Sequence, residues 1–156
     1  PLYDMPFAEV KEAKCQVHDS ITPRTEITVA SRAQVARTTG SRLFVKPNLL
    51  HKDFAKESIS GNRGQEVWFG RGMKSIERIT LALPDSVSIE SLPKDVCVDN
   101  EMGVFSSKTS VSGRTIVTTN MFMLRRGTYP KDKAVLFDNL QEARSKAYAA
   151  NVVLRR

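Results

Sequence analysis

Two cysteines and two histidines are the side chains of this sequence that are best suited to chemistry. Nucleophilic catalysis by cysteine requires a thiolate with a histidine in hydrogen-bonding reach and a group that orients the histidine. Cys15 and His18 are three residues apart, a spacing that places them on opposite faces of an extended strand. Cys97 lies in an alternating run and not at a helix N-terminus, which is a setting that activates thiols. We therefore expect ordinary strand cysteines and no catalytic residue, since His51 is the one other histidine.

Metal and phosphate chemistry also lack a matching pattern. A zinc site needs about four ligands from cysteine, histidine and carboxylates. Cys15, His18 and Asp19 offer two or three of these, and no other spacing completes the set. The run from Gly70 to Gly72 lacks the third glycine of a phosphate-binding loop, which favours a turn between strands. We expect neither a metal nor a cofactor.

The aromatic residues and methionines do not form a binding stripe. Trp68, Phe69 and Tyr3 lack the spacing of a carbohydrate-binding stripe. Because Trp68 and Phe69 are adjacent, we expect one to enter the core and the other to be partly exposed. Met121 and Met123 share one face of a strand and are expected to fill the core, although methionine-rich faces also serve as adaptable interfaces.

The net charge is the feature that would suggest a nucleic-acid partner. The sequence has 24 lysines and arginines against 17 aspartates and glutamates, a formal charge of +7. These cations are spread along the chain, and the densest clusters are only pairs, Arg125-Arg126 and Arg155-Arg156. RNA-binding runs interleave basic with aromatic residues, and no such run occurs. We expect a basic, solvated surface, with a polyanion- or nucleic-acid-binding module as the alternative.

Length and composition bound the class of protein. A chain of 156 residues with 40% hydrophobic and 26% charged residues is long enough for one globular domain. No apolar run approaches the ~20 residues that span a bilayer. Cys15 and Cys97 could form one disulfide or remain free thiols, and the sequence leaves both open. The chain begins at Pro1 without a signal-peptide pattern, and we expect a fragment or a processed product.

Most of the chain shows the period-two alternation of β-strands. The segments with this pattern are 14–18, 26–30, 42–46, 66–69, 76–83, 87–89, 96–98, 104–111 and 114–125. Residues 1–12 are expected to form an entering linker. The least regular stretch, 48–64, ends in the loop Ser60–Gly64, and a weak boundary could lie there. Val152–Leu154 is expected to return as an edge strand.

The period changes to that of a helix near residue 128. Thr128 is the expected N-cap, with Pro130 in the first turn and Asp132 near the positive end of the helix dipole. One apolar face follows from positions spaced by three and four, namely Leu136, Leu140, Ala143 and Ala147.

These elements predict an all-β domain, mainly an antiparallel β-sandwich, with one C-terminal α-helix across an end or a face. A ferredoxin-like or cystatin-like sheet is the alternative, although one helix is too few to favour it. We expect residues 13–156 to form a single domain. The sequence leaves open whether residues 13–64 share one core with 65–154.

Three runs in the second half carry a family resemblance. The first, Ile79–Lys94, opens with Ile-Thr-Leu-Ala-Leu-Pro, and the second is Asn100–Ser107. The third is Gly127–Pro130, followed by the helix and by Ala150–Leu154. In this order, over roughly residues 65–154, they resemble the C-terminal β domain of bacterial transglutaminase-like proteins. Many members of that family are exported proteins of Gram-negative bacteria that are labelled as cysteine proteases.

The resemblance implies a non-catalytic accessory domain beside a papain-related core that holds Cys, His and Asp. No position of this sequence matches the family's cysteine motif. The domain would pack against that catalytic neighbour, or would bind a protein or peptide partner through exposed loops such as Ser60–Gly64. The implied location is the periplasm or the cell surface. A free-standing enzyme would instead need Cys15 or Cys97 to react far faster than an ordinary thiol.

Overall fold

A computed structural model describes the backbone of residues 9–18, 24–32, 36–48, 58–61 and 64–156, and their side chains from residue 36 onward. Within these ranges the strands are β1 (Glu9–His18), β2 (Arg24–Arg32), β3 (Ala36–Thr39), β4 (Arg42–Val45), β5 (Val67–Phe69), β6 (Met73–Ala82), β7 (Ser88–Ser91), β8 (Val96–Asn100), β9 (Gly103–Ser112), β10 (Thr115–Leu124), β11 (Gly127–Tyr129) and β12 (Val152–Arg155). A 3-10 turn, Lys131–Lys133, leads into the helix α1, Ala134–Ala149. Every described strand pair is antiparallel, and β1 pairs with β2.

The main sheet has the strand order β6-β10-β9-β8. The strand β10 pairs with β6 and β9 along its whole length without a register shift. Side chains alternate between the two faces of β10, and Ile116, Thr118, Asn120 and Phe122 are buried on the inner face.

A second sheet, of order β3-β4-β12-β7, covers one end of that inner face. Ile116 of the main sheet packs in one cluster with Leu43, Val45, Val152 and Leu154 of the second sheet. This packing confirms the predicted antiparallel β architecture. It also answers the question of a shared core for residues 36–48, because β4 pairs directly with β12.

The helix α1 covers the other end of the inner face and contacts β8 and β9. Leu140 and Ala147 are buried against Phe105 and Phe122 of the sheet, in one cluster with Phe137. Leu136 and Ala143 pack against the same cluster, so the predicted apolar face of the helix is confirmed.

Polar side chains separate the two apolar clusters. The hydroxyls of Thr109 and Thr118 lie 3.0 Å apart across β9 and β10. Asn120 donates to Asn48 Oδ1 at 2.5 Å, and Asn48 donates to the carbonyl of Ala147 at 3.3 Å. This buried network ties β10 to the end of α1, because each buried polar group needs a partner.

Several predicted boundaries were wrong. The helix begins at Ala134 after Lys133, with no side-chain cap, while Thr128 lies in β11 and pairs with Trp68. The reason is tertiary, since Tyr129 next to it packs against the core. The strand β12 lies between β4 and β7 and is not an edge strand. The first strand begins at Glu9, inside the segment expected to be a linker, and the short strands β3 and β11 were not predicted.

Candidate functional site

The face of the main sheet that points away from α1, called here the outer face, is open. Ile76, Met121, Ser106 and Cys97 lie side by side on it, one on each of the four strands. Ile76 is 62% exposed and Cys97 is exposed. The side chain of Cys97 thus lies on the face of β8 opposite to that of its neighbours Val96 and Val98, as the sequence predicted.

Methionines and cations complete the outer face. Met121 and Met123 lie here and are half-buried, so the prediction that they fill the core was wrong. Lys74 lies opposite Met123, and Arg78 and Lys108 lie on either side of Thr119. Listed together, the exposed cations of this face are Lys74, Arg78 and Lys108. The outer face therefore carries two apolar side chains, Ile76 and Met121, beside three exposed cations, and Asp99 on β8 adds a carboxylate that pairs with Arg125.

The strands β5 and β11 continue the ladder of β6 and β10 beyond Arg125, with the register shifted by one residue. Val67 is buried, and Phe69 packs 6.0 Å from the ring of Tyr129 and 5.8 Å from that of Phe137. Trp68 points the other way and is 74% exposed. The predicted division of Trp68 and Phe69 between surface and core is confirmed.

Gly70 provides the space against which the indole of Trp68 rests. A Cβ atom at position 70 would lie 2.8 Å from both Cζ2 and Cη2 of Trp68. Since these atoms form the far end of a side chain, an alanine would displace the indole at little cost to the backbone. The turn predicted at Gly70 thus has a second role. Because glycine has no side chain, the indole of Trp68 can lie directly against the backbone at this position.

The Gly70→Ala variant should shift the fluorescence emission of the chain while leaving its thermal stability nearly unchanged. The chain has one tryptophan, so its emission reports Trp68 alone. Gly61→Ala is the control, because a Cβ atom there would meet open space and Gly61 is not among the described residues that line the surroundings of Trp68. An emission spectrum identical to that of the unsubstituted chain would show that Gly70 does not position the indole.

A shallow cleft of about 620 Å³ lies beside Trp68. Among the residues that the structure describes, its lining comprises Gly64, Gln65, Glu66, Trp68 and Thr128. It begins where the predicted partner-binding loop Ser60–Gly64 ends. The cleft therefore combines an aromatic platform with an amide, a carboxylate and a hydroxyl.

The start of that loop is held on the helix by Asp138. Its buried carboxylate accepts hydrogen bonds from the hydroxyl of Ser58 at 2.7 Å, from the backbone N–H groups of Ile59 at 2.8 Å and Ser60 at 3.3 Å, and from the hydroxyl of Ser60. Burial acts to raise the pKa of Asp138, but the hydrogen bonds from Ser60, Ser58 and Ile59 outweigh it and hold the pKa below its ordinary value. The sequence had no signal for this role.

Asn100 is the first residue of the run Asn100–Ser107, and its side chain makes the turn at the start of that run. Its side-chain oxygen accepts hydrogen bonds from the backbone N–H groups of Met102 at 3.0 Å and Gly103 at 3.3 Å. Its amide donates to the carbonyl of Leu136 at 2.9 Å. The run therefore makes the turn between β8 and β9 and fastens the helix to it.

Other cations of the described residues pair with carboxylates over the whole surface. The pairs are Arg42 with Glu90, Arg114 with Asp85, Arg125 with Asp99, Lys133 with Glu101 and Lys146 with Glu142. They lie on both sheets and on the helix. The basic character is therefore distributed, and exposed cations lie on neighbouring strands of the outer face and also of the second sheet, where Arg42 is opposite Arg155.

Most of the residues considered for chemistry lie outside the part of the chain whose side chains are described. Cys15 and His18 lie on β1, whose side chains are outside the described part, as are Tyr3, Asp19 and His51. Among the residues that the structure describes, no three Cys, His, Asp or Glu side chains are grouped to hold a metal. None of the described helices is long and apolar enough to cross a membrane.

A family model described as a domain of unknown function with a solved structure (DUF3858) matches residues 41–154. The chain belongs to the DUF3858 family. The DUF3858 match begins earlier than residue 65, where the sequence resemblance starts, and it includes β4, the pairing partner of β12. This match alone does not link the chain to transglutaminase-like proteins. No curated protein and no solved structure matches the chain significantly.

Proposed function

We propose that this DUF3858 domain is a non-catalytic accessory domain that packs through its outer face against a transglutaminase-like catalytic domain of the same parent protein. The observation that carries the proposal is the open outer face, where Ile76 on the edge strand β6 remains 62% exposed beside Met121 of β10. Exposed apolar patches with a polar rim are typical of protein interfaces. The nature and place of the neighbour, a cysteine peptidase core in an exported protein, come from the sequence resemblance.

The charge around the patch specifies the surface of the neighbour. Lys74, Arg78 and Lys108 lie on the same face as Ile76 and Met121, in the neighbouring rows of the ladder. A partner surface with an apolar centre and acidic residues at its rim would match both features. Half-buried methionines on the outer face suit such a contact because their side chains adapt to the opposing surface.

An independent module for polyanions is less well supported. Such a module needs cations that outnumber acids along one continuous groove. On this chain many described cations are already paired with carboxylates on both sheets and the helix. The cations of the outer face lie beside exposed apolar side chains and the carboxylate of Asp99, which favours a protein partner over a nucleic acid.

The native thiol of Cys97 shows whether the outer face is covered, so no label has to be engineered into the chain. In the isolated chain it should react with a mild alkylating agent at the rate of an ordinary exposed thiol, since it is exposed and free. In the full-length parent protein we expect the reaction to be about tenfold slower, because the neighbour covers the thiol. Mass spectrometry of the peptide that contains Cys97 measures the rate in both proteins.

Two charge substitutions separate docking from general effects. Ile76→Glu in the full-length protein should restore fast labelling of Cys97, because it places a charge in the interface. Val135→Glu is the matched control, since Val135 is also exposed (47%) but lies on the helix. Equal labelling rates in the isolated and full-length proteins would contradict the proposal, as would a parent gene that encodes no neighbouring domain.

A further inference from the structure

The exposure of Trp68 needs an explanation separate from that of the outer face. A tryptophan buries more apolar area than almost any other side chain, and this one is left 74% exposed. The position is not loosely held, because Val67 before it is buried and Phe69 after it packs on Phe137. The backbone thus fixes the indole on the surface by strand alternation.

The indole is also oriented in advance. Its six-membered ring rests against Gly70, where any side chain would overlap it. Most of the ring surface remains open to solvent beside the cleft. An aromatic side chain held in one position binds a flat apolar surface with little loss of entropy.

The polar groups of the cleft indicate the chemistry of the ligand. Gln65, Glu66 and Thr128 present an amide, a carboxylate and a hydroxyl next to the ring, and none of the five described lining residues is a cation. The negative charge of the Glu66 carboxylate disfavours a phosphate or sulfate. Hydroxyl groups suit these neighbours, since a carboxylate has about four lone-pair sites and keeps acceptor capacity when it is already bonded.

We propose that Trp68 and its cleft form a binding subsite for a neutral carbohydrate chain. A sugar ring stacks its C–H face on the indole, and its hydroxyls bond to Gln65, Glu66 and Thr128. The cleft is shallow, so the ligand is an internal or terminal unit of a chain and not an enclosed small molecule. With one aromatic platform the affinity is weak, with a dissociation constant of about 0.1 to 1 mM.

The test is a fluorescence titration of the intact chain, whose single tryptophan is the proposed platform. The probes are neutral hexasaccharides of glucose, xylose and N-acetylglucosamine, each up to about 10 mM. At least one should change the emission of Trp68 saturably and should do so equally at low and high salt. Heparin serves as the polyanion for comparison.

Variants separate this site from the interface of the proposed function. Calorimetry with the active probe should show binding lost in Trp68→Ala and weakened about fivefold in Gly70→Ala, because the indole is displaced. Ile76→Ala should bind normally, since Ile76 is not among the described residues that line the cleft. No response to any neutral probe, or a response to heparin alone that salt abolishes, would overturn the carbohydrate site and leave the docking proposal intact.

Discussion

Gly103→Ala should lower the free energy of unfolding by about 3 kcal/mol, the largest effect that we expect from a single methyl group in this chain. A Cβ atom at position 103 would overlap the carbonyl oxygen of Met123 and lie 3.2 Å from Cδ1 of Leu140. The first obstacle is backbone in the centre of the main sheet, so no side-chain rotation relieves it. Denaturant unfolding measures the loss, and the thermal midpoint should fall by roughly 10 °C.

The control is Gly61→Ala, because a Cβ atom there meets nothing within 4 Å. It should change stability by less than about 0.5 kcal/mol. Equal stability of the two variants would mean that the strands β9 and β10 separate more easily than their register indicates. Gly103 also accounts for the glycine of the run Asn100–Ser107, since the turn made by Asn100 brings this backbone against β10.

Asp138→Asn should cost about 2 kcal/mol at pH 7, because it removes the charge that four donors of Ser58, Ile59 and Ser60 surround. The matched control is Asp132→Asn, an exposed aspartate before the same helix, which should change stability by less than about 0.5 kcal/mol. Urea unfolding at a series of pH values measures both. A loss at Asp138 no larger than at Asp132 would show that the hydrogen bonds between Asp138 and the segment Ser58–Ser60 add no stability.

The pH dependence of the stability difference between Asp138→Asn and the unsubstituted chain follows from the direction in which folding shifts the pKa of Asp138. The pKa of Asp138 is lower in the folded chain than its ordinary value of about 4. Its contribution to stability is therefore complete above that ordinary pKa and is lost as the pH falls through the folded pKa. The difference between Asp138→Asn and the unsubstituted chain should disappear in acid. A difference that stays constant down to pH values of about 2 would contradict the role of the charge.

The strands of the main sheet could be predicted because alternation depends on nearest neighbours. Cys97 between Val96 and Val98, and Ile116 and Phe122 along β10, follow the period of two that one buried face imposes. The position of β12 could not be predicted, since its apolar residues indicate a strand but not which strands will flank it. Thr128 had the composition of a helix cap, yet the burial of Tyr129 made it part of a strand.

The candidate sites were predicted less completely than the fold. That one of Trp68 and Phe69 would be exposed followed from their adjacency, but the support of the indole by Gly70 depends on a close approach that spacing does not reveal. Asp138 was missed because its partners precede it by 78 to 80 residues. The proposal of a neighbouring catalytic domain rests on the sequence resemblance, whereas the open outer face became visible only after the strands were assembled.

The central place of β12 governs when the second sheet can form. Val45 in β4 pairs with Val152, and Ile89 in β7 pairs with Leu154, so both pairings require β12 to have been synthesised. During synthesis β4 and β7 therefore leave the ribosome long before the strand that joins them, and such long-range pairing is slow. Until Arg155 has emerged, this half of the domain exposes unpaired strand edges to chaperones and proteases. A chain that ends before β12 would keep the edges of β4 and β7 unpaired, and these exposed edges are what quality-control systems would bind.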